Sequence, residues 1–315
     1  MMMKCLPVAL IAACAGLAQV DIKPGPEQIT VSIDGKPFTD FYVAGAKVHK
    51  PFLHPLRAAD GTIVTRVWPM EEKEGEVKDH PHHQGLWFTH GLVNGFDFWA
   101  NDPSQKGQHP KGVIVLDKVS RAKGGKKSGV IEATFNWNDP SGKTLLTERR
   151  IMTFYSDPKL RTIDFDVTFK AVGEVKFGDT KEGFFAIRLT APLDGKHSGK
   201  MVNAEGKVGE KQVWGKRSPW VDYSGQVNGE TLGVAIFDHP RNPKHPTYWH
   251  SRDYGLFAAN IFGEHDFLND KSKDGSVTLA PGQTLRFRYR VVIHPGDTQT
   301  ADIAGLYKAY TSGKK

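Results

Sequence analysis

The feature of this sequence that most constrains its fold is a two-residue alternation of apolar and polar side chains. The segment 285–293 alternates five apolar side chains with arginines and a valine, and 163–170 alternates in the same way. The segment 130–137 also alternates, and it continues through the turn 138–142 into 143–155. Successive side chains of a strand point to opposite faces. The pattern therefore predicts antiparallel strands with one face in the core and the other in water.

Turn residues divide these strands at short intervals. The chain has 33 glycines and 19 prolines, and Asp34-Gly35 after the apolar run 29–33 is a hairpin signal. Helical spacing occurs only at the end of the chain, where Ile303, Leu306, Tyr307 and Tyr310 would share one face and Thr300 would be the cap. With no internal repeat or linker, the sequence predicts an all-β fold: one large antiparallel β-sandwich over residues 19–315 with a short C-terminal helix.

The first 18 residues are typical of a signal peptide. Lys4 precedes a short apolar run, and Gly16-Leu17-Ala18 is a suitable cleavage site. The segment 11–14 alternatively fits a lipoprotein signal that would place a lipid anchor on Cys14. In either case the protein is predicted to be exported, to the periplasm or the extracellular space.

Cysteine and charge exclude several classes of function. Cys5 and Cys14 are the only cysteines and both lie in the predicted signal, so the mature chain would lack disulfides, cysteine nucleophiles and cysteine metal ligands. The formal net charge of +7 is spread along the chain rather than gathered in a basic stripe. A nucleic-acid partner is therefore not expected. No later apolar run is long enough to span a membrane.

Three polar regions interrupt the alternation. The first is DHPHHQGLWFTHG (79–91), flanked by 52–57 and 94–99, the second is 178–191, and the third is 238–254. All three concentrate histidine, aromatic and acidic residues between prolines and glycines. Loops held in this way can present polar side chains to a ligand at little entropic cost.

Metal binding and proton transfer are both open interpretations of the histidines. His82, His83 and His90 could supply two or three ligands to a divalent metal, although no HExxH pattern is present. Alternatively, His83 and His90 act as acid and base with Glu182 as the partner carboxylate, and no cofactor is needed. In a strand over 85–90, His90 would share a face with Leu86 and Phe88 and would suit a pocket wall.

Other side chains of these regions are candidates for binding a substrate. The aromatic ones could stack on the apolar face of a sugar ring, and the polar ones could bind hydroxyls or a carboxylate. They are Arg57, His82, Trp87, Asn94, Arg188, Asp222, His239, Tyr248, Trp249 and His250.

Five ordered motifs resemble the PmoA-like family of bacterial proteins over about residues 25–310. They are FLHPLR (52–57), DHPHHQGLW (79–87), VNGFDFW (93–99), GDTKEG (178–183) and PTYWH (246–250). The strand pattern and the closing LAPGQTLRFRYR (279–290) are also similar to galactose-mutarotase-like supersandwich proteins. That second resemblance implies a sugar ligand on a concave sheet and acid–base chemistry by histidines with a carboxylate.

The leading hypothesis is an exported carbohydrate-active enzyme, an epimerase, lyase or hydrolase that uses His/Glu acid–base chemistry. A non-catalytic glycan-binding module and a histidine-ligated, metal-dependent enzyme are the alternatives. Serine-triad, phosphate-loop and dinucleotide-binding motifs are not found in the sequence.

Overall fold

The structure is a computed structural model that describes residues 19–313, and it consists of two large antiparallel sheets packed face to face. In spatial order, the first sheet contains β1 (Val20–Pro24), β2 (Gln28–Ile33), β3 (Lys36–Tyr42), β4 (Phe52–His54), β5 (Leu86–His90), β11 (Gly183–Arg188), β16 (Leu256–Asn260) and β15 (Tyr248–Ser251). The second contains β12 (Lys200–Asn203), β13 (Trp220–Val227), β14 (Glu230–Asp238), β18 (Thr284–Pro295), β9 (Arg161–Ala171), β8 (Thr144–Tyr155), β7 (Ser128–Asn138) and β6 (Val113–Lys123).

The remaining elements are short. A two-stranded ribbon pairs β10 (Val175–Phe177) with β17 (Val277–Leu279). The helices are α1 (Glu210–Val213), α2 (Glu264–Phe267) and α3 (Ile303–Thr311), and residues Ala191–Leu193 form a single 3₁₀ turn. The prediction of an all-β fold, a large antiparallel sandwich with a short C-terminal helix, is confirmed.

The core lies between the two sheets and is rich in aromatic rings. Phe88 of β5 meets Phe169 of β9 at a ring-centroid distance of 6.0 Å, and Phe185 of β11 meets Phe165 at 4.8 Å. These residues are buried, while the polar residues between them in β9 point outward and are partly exposed. Aromatic pairs of this kind add about 1 kcal/mol each beyond the area they bury.

The strands predicted from alternation form where expected. β9 and β18 cover the segments 163–170 and 285–293, and β7 and β8 are joined by the predicted turn. Asp34 and Gly35 take positive φ values of 54° and 74°, and they connect β2 to β3 as predicted. One detail is corrected: α3 is capped by Asp302, whose carboxylate accepts from the backbone N–H of Gly305, and not by Thr300.

The predicted signal peptide, including Cys5 and Cys14, lies outside the described residues, so export and the lipid anchor remain predictions. Among residues 19–313, no helix is both long and apolar enough to cross a membrane.

The outer face of the first sheet carries a second apolar cluster, separate from the core between the sheets. One row of paired residues crosses this face from β3 to β15: Tyr42, Phe52, Trp87, Ala186, Ala258 and His250. Trp87 and His250 are three strands apart, a span of about 14 Å at roughly 4.8 Å per strand. Loops close over this row and form the candidate site.

Candidate functional site

A cavity of about 640 Å³ lies over the outer face of the first sheet. It is formed by the first polar region, by the turn 179–182, by residues 250–254 and by α2. The side chains with chemistry to offer on its walls are His80, His82, His83, Asp97, Trp99, His109, Asp179, Lys181, Glu182, His250, Arg252, Tyr254 and His265.

His83 is held in one tautomer by an arginine. Nη1 of Arg188 donates to Nδ1 of His83 across 3.1 Å. Because a guanidinium has no acceptor, Nδ1 must accept, and the proton of the neutral ring lies on Nε2. Burial, together with the nearby charges of His82 and Arg188, holds the pKa of His83 well below its ordinary value, so the ring is neutral. His83 therefore presents an N–H donor.

Asp79 fixes the arginine that holds His83. Its Oδ1 accepts from Nη2 of Arg188 at 2.8 Å and from Nη1 of Arg66 at 2.5 Å. Burial raises the pKa of the Asp79 carboxyl, but hydrogen bonds from His80 and Arg188 and the charge of Arg188 outweigh it and hold this pKa far below its usual range. One carboxylate thus serves two guanidiniums.

His83 lies within a column of four stacked rings. Tyr254, His80, His83 and Trp87 follow one another at centroid distances of 5.5, 4.7 and 5.2 Å, with interplanar angles of 8°, 5° and 22°. Arg188 also lies 4.6 Å from the centroid of the Tyr254 ring. Burial raises the pKa of Tyr254 to about 12, so its hydroxyl stays protonated. The imidazole plane is therefore fixed from both sides.

His250 is held in the opposite tautomer. Its Nδ1 lies 2.8 Å from the carbonyl oxygen of Lys181, which can only accept, so Nδ1 carries the proton. Its Nε2 is buried and has no hydrogen-bond partner within residues 19–313. Burial lowers the pKa of His250, and the charge of Glu182 partly opposes this shift. Nε2 therefore keeps a free lone pair on a residue of the cavity wall, although this nitrogen is itself buried.

The turn that positions His250 also carries Glu182. Asn260 donates to the carbonyl oxygens of Thr180 at 2.9 Å and Lys181 at 3.1 Å, which fixes the acceptor of the His250 proton. The Glu182 side chain is 39% exposed and pairs with Nζ of Lys181 at 3.1 Å. This carboxylate can therefore act on His250 through its charge and can also reach a ligand.

A third histidine of the cavity is oriented by carboxylates. Nδ1 of His265 lies 2.5 Å from Oδ1 of Asp179, and its Nε2 lies 3.3 Å from Asp266. Oδ2 of Asp179 accepts from the backbone N–H of Gly275 and of His265 itself. Both oxygens of Asp179 are thus occupied by α2 and the loop after it.

Behind the wall that carries His82 lies a buried lysine. Nζ of Lys50 donates to Oδ1 of Asn101 at 3.0 Å and to the carbonyl of Trp99 at 3.3 Å. Burial lowers its pKa to about 7. Burial, with the charge of Lys50, also holds the pKa of His82 well below its ordinary value, and Nδ1 of His82 contacts Oε1 of Gln105 at 2.5 Å.

His90 does not line the cavity, in contrast to the expectation of a pocket wall. It does share a face of β5 with Leu86 and Phe88, but that face points between the two sheets. Its Nε2 donates to the carbonyl of Gly178 at 2.8 Å, and its ring packs 4.7 Å from Phe262. Trp87 and Thr89 are on the face toward the cavity.

Several of the other predicted residues support the structure around the cavity. Arg188 and Trp87 contact His83 from behind. Asn94 caps a turn by bonding the backbone of Glu174 and Lys176. The backbone of Arg57 forms an isolated antiparallel β-bridge with Ile63, and this residue does not line the cavity.

Four more predicted residues lie elsewhere. Asp222 is buried on the second sheet, where it accepts from Nε2 of His294 at 3.0 Å. His239 lines a separate groove with Arg288 and Tyr310. Trp249 donates to the carbonyl of Ser218 from the core, and Tyr248 stacks on Phe267.

The three predicted metal ligands are not brought together, because His90 lies on the opposite side of the sheet from His82 and His83. Within the part of the chain that the structure describes, no three His, Cys, Asp or Glu side chains are grouped so that they could hold a metal ion.

Sequence reasoning did not single out several residues of the cavity wall, among them His80, His109, Tyr254 and His265. His80 stands in the motif 79–91 and Tyr254 in the region 238–254, so composition pointed to both. His109 and His265 are single histidines without neighbours of the same kind, and nothing local marks them.

The chain matches a protein-family model over most of its length. Residues 28–308 match the model of a family described as "Family of unknown function (DUF6807)". The resemblance to PmoA-like proteins therefore remains a prediction. No curated protein matches the chain significantly.

Solved structures with a similar arrangement include three enzymes or enzyme-like proteins. The alpha-galactosidase from Lactobacillus brevis is 9% identical with a TM-score of 0.40, and the match covers 88% of this chain but only 39% of that one. The galactose mutarotase related enzyme from Lactobacillus acidophilus (9% identity, TM-score 0.39) is matched over 89% of this chain and 98% of its own. A galactose mutarotase-like protein from Clostridium acetobutylicum (11% identity, TM-score 0.40) is matched over 88% of this chain and 98% of its own.

The chain thus spans about two fifths of the length of the galactosidase it matches and nearly the whole of the two mutarotase-like proteins.

Proposed function

We propose that this chain, which belongs to the family of unknown function DUF6807, is a carbohydrate-active enzyme that transfers protons on a sugar or sugar derivative bound in the cavity. His250 is the proton acceptor, and His83 is the hydrogen-bond donor that binds the reacting oxygen. The roles differ from those expected from the sequence, in which His83 and His90 were acid and base with Glu182.

One observation carries the proposal: two neutral histidines on one cavity are fixed in opposite tautomers. Arg188 leaves His83 with an N–H to offer, and the carbonyl of Lys181 leaves His250 with a lone pair. A buried acceptor without a partner costs about 1–3 kcal/mol, which a hydroxyl or acidic C–H of a ligand would offset. Proton transfer by a histidine already in its neutral form is worth roughly 10²–10⁴ in rate.

The other walls suit a polyhydroxylated ligand. Donor and acceptor side chains both line a volume of about 640 Å³, together with the rings of Trp99 and Tyr254. Sugar hydroxyls both donate and accept hydrogen bonds, so they can donate to Glu182 and can donate to or accept from the remaining histidines.

Two further parts of the proposal come from the sequence. The motif resemblance to PmoA-like proteins supports grouping the chain with them. The segment 1–18, read as a signal peptide or as a lipoprotein signal ending at Cys14, supports an exported enzyme.

The proposal is tested with a panel of monosaccharides, sugar acids and glycosides followed by NMR for anomeric exchange and for new products. We expect turnover of at least one sugar, and a loss of at least about 10²-fold in His250→Gln. His239→Gln is the matched control, because His239 lines a different groove. Binding without any chemistry would identify the chain as a glycan-binding module instead.

A further inference from the structure

We infer that the substrate is a sugar carrying a carbonyl, and that the bond broken first is a C–H bond next to that carbonyl. This inference rests on the proposed function and specifies its substrate class and reaction. It is drawn from what His83 can and cannot do, from the charges behind it, and from the carboxylates of the cavity.

His83 can donate a hydrogen bond but cannot exchange a proton readily. Nδ1 is occupied by the Arg188 guanidinium, so this nitrogen is not free to accept. Releasing the Nε2 proton from a neutral ring would produce an imidazolate, which is far less accessible than an imidazole. A neutral imidazole N–H suits an oxygen that gains negative charge during the reaction, as at an oxyanion hole.

The charges behind His83 favour the same kind of oxygen. Arg66 and Arg188 are both 3% exposed and share the carboxylate of Asp79, and Glu76 also lies near Arg66. Arg188 donates directly to Nδ1 of His83, so its positive charge polarises the ring that carries the Nε2 proton. Charges held in a water-poor interior act more strongly than charges in water. This wall therefore stabilises an enolate oxygen better than a neutral hydroxyl.

The carboxylates do not form the pair that glycoside hydrolysis commonly requires. Asp97 is paired with Lys111 at 2.9 Å and accepts from the backbone N–H groups of Trp99 and Ala100. Asp179 is occupied by His265 and two backbone N–H groups. Glu182 is the one carboxylate among the lining residues whose contacts leave it open to a ligand. A neutral histidine base together with an N–H donor at the same cavity fits carbon-acid chemistry better.

The step balances with the groups present. The C–H bond breaks and its proton passes to Nε2 of His250, while its electron pair forms a C=C bond. The π pair of the carbonyl moves to oxygen, where the His83 N–H holds the negative charge. Return of a proton from His250 to the same face gives exchange with solvent hydrogen, and protonation of the opposite face gives epimerisation. Departure of a substituent from the next carbon, with the proton from His250, gives elimination.

The test follows hydrogen–deuterium exchange in D₂O by NMR and mass spectrometry. The probes are a methyl glycoside oxidised to a ring ketone and D-galacturonate, with the unoxidised methyl glycoside as the carbonyl-free control. We expect deuterium to enter at the carbon next to the carbonyl in at least one probe and not in the control. His83→Gln should lower the exchange rate by about 10²–10³-fold, mainly in kcat, and His239→Gln should leave it unchanged.

The outcomes separate the two proposals. Anomeric exchange or hydrolysis without C–H exchange would overturn this inference and leave proton transfer on sugars in place. No chemistry with any sugar would overturn both. Normal exchange in His83→Gln would show that the oxyanion is held elsewhere and would overturn the argument from His83.

Discussion

His83 and His250 line one cavity as neutral rings with their protons on opposite nitrogens. The partner that sets each tautomer is distant in the sequence, 105 residues away for His83 and 69 for His250. A hydrogen-bond donor and a proton acceptor are thus fixed at one cavity before any ligand binds.

Selective ¹⁵N labelling of histidine should reveal the two tautomers directly. We expect His83 to show a protonated Nε2 and His250 a protonated Nδ1 in long-range ¹H–¹⁵N spectra at pH 7.5. Arg188→Met should abolish the fixed tautomer of His83 without changing that of His250. Equal tautomer populations for His83 in the unaltered protein would contradict the assignment.

The charge pair beside His250 should tune its titration in opposite directions. Burial lowers its pKa, Glu182 raises it and Lys181 lowers it. Glu182→Gln should therefore move the acid limb of activity, and the NMR titration of His250, to lower pH. Lys181→Met should move both to higher pH. If Glu182→Gln instead abolishes turnover at every pH, Glu182 itself transfers protons, as the sequence suggested.

Acid should destabilise the protein through its buried histidines. Burial lowers the pKa of His54 and of His90 to about 4. Because an unfolded histidine titrates near 6.5, each contributes stability that is present above that pH and is lost as the pH falls towards 4. The loss approaches about 3 kcal/mol for each.

His54→Phe tests this directly, because neither ring nitrogen of His54 has a partner within the described residues. We compare the free energy of unfolding in urea of this variant with that of the unaltered protein. The difference in favour of the variant should be larger at pH 5 than at pH 8. The exposed His109, replaced in the same way, is the control. An equal difference at both pH values would show that His54 does not contribute to the acid sensitivity.

Asp222 should matter for stability and not for turnover. It is fully buried against His294, and Thr298 donates to its other oxygen at 2.6 Å. Burial alone would lower the pKa of His294, but the hydrogen bond and charge of Asp222 outweigh it and raise this pKa. The stabilisation is therefore complete below the unfolded value near 6.5 and is lost as the pH rises through the folded value.

Asp222→Asn should accordingly cost about 3 kcal/mol at pH 6 and less at pH 9, measured by urea unfolding. Turnover of the folded variant should be unchanged. A selective loss of substrate affinity would restore Asp222 to the binding residues that the sequence suggested.

The strands and the approximate place of the site were predictable because both depend on local patterns. Alternation identified β7, β8, β9 and β18, and the clustering of histidine and aromatic residues identified the loops around the cavity. His83, Glu182 and His250 all come from the three polar regions that the sequence singled out.

The role of each side chain was not predictable in the same way. All five residues of β5 are buried, so alternation separates its two faces but does not say which one meets the other sheet. His90 was grouped correctly with Leu86 and Phe88, but the sequence did not show that this face points between the two sheets. The tautomers of His83 and His250 depend on partners brought together only by the pairing of distant strands, which no local window contains.

The pairing of β5 with β11 has a consequence for how the protein folds. Arg188 reaches His83 only after strands about a hundred residues apart have joined, and β15 and β16 must then add beyond them. Pairings between distant segments form slowly because they close long loops. During refolding, activity should therefore return later than the circular dichroism signal of β-sheet. The rate at which activity returns would then report how fast the strands of the first sheet pair.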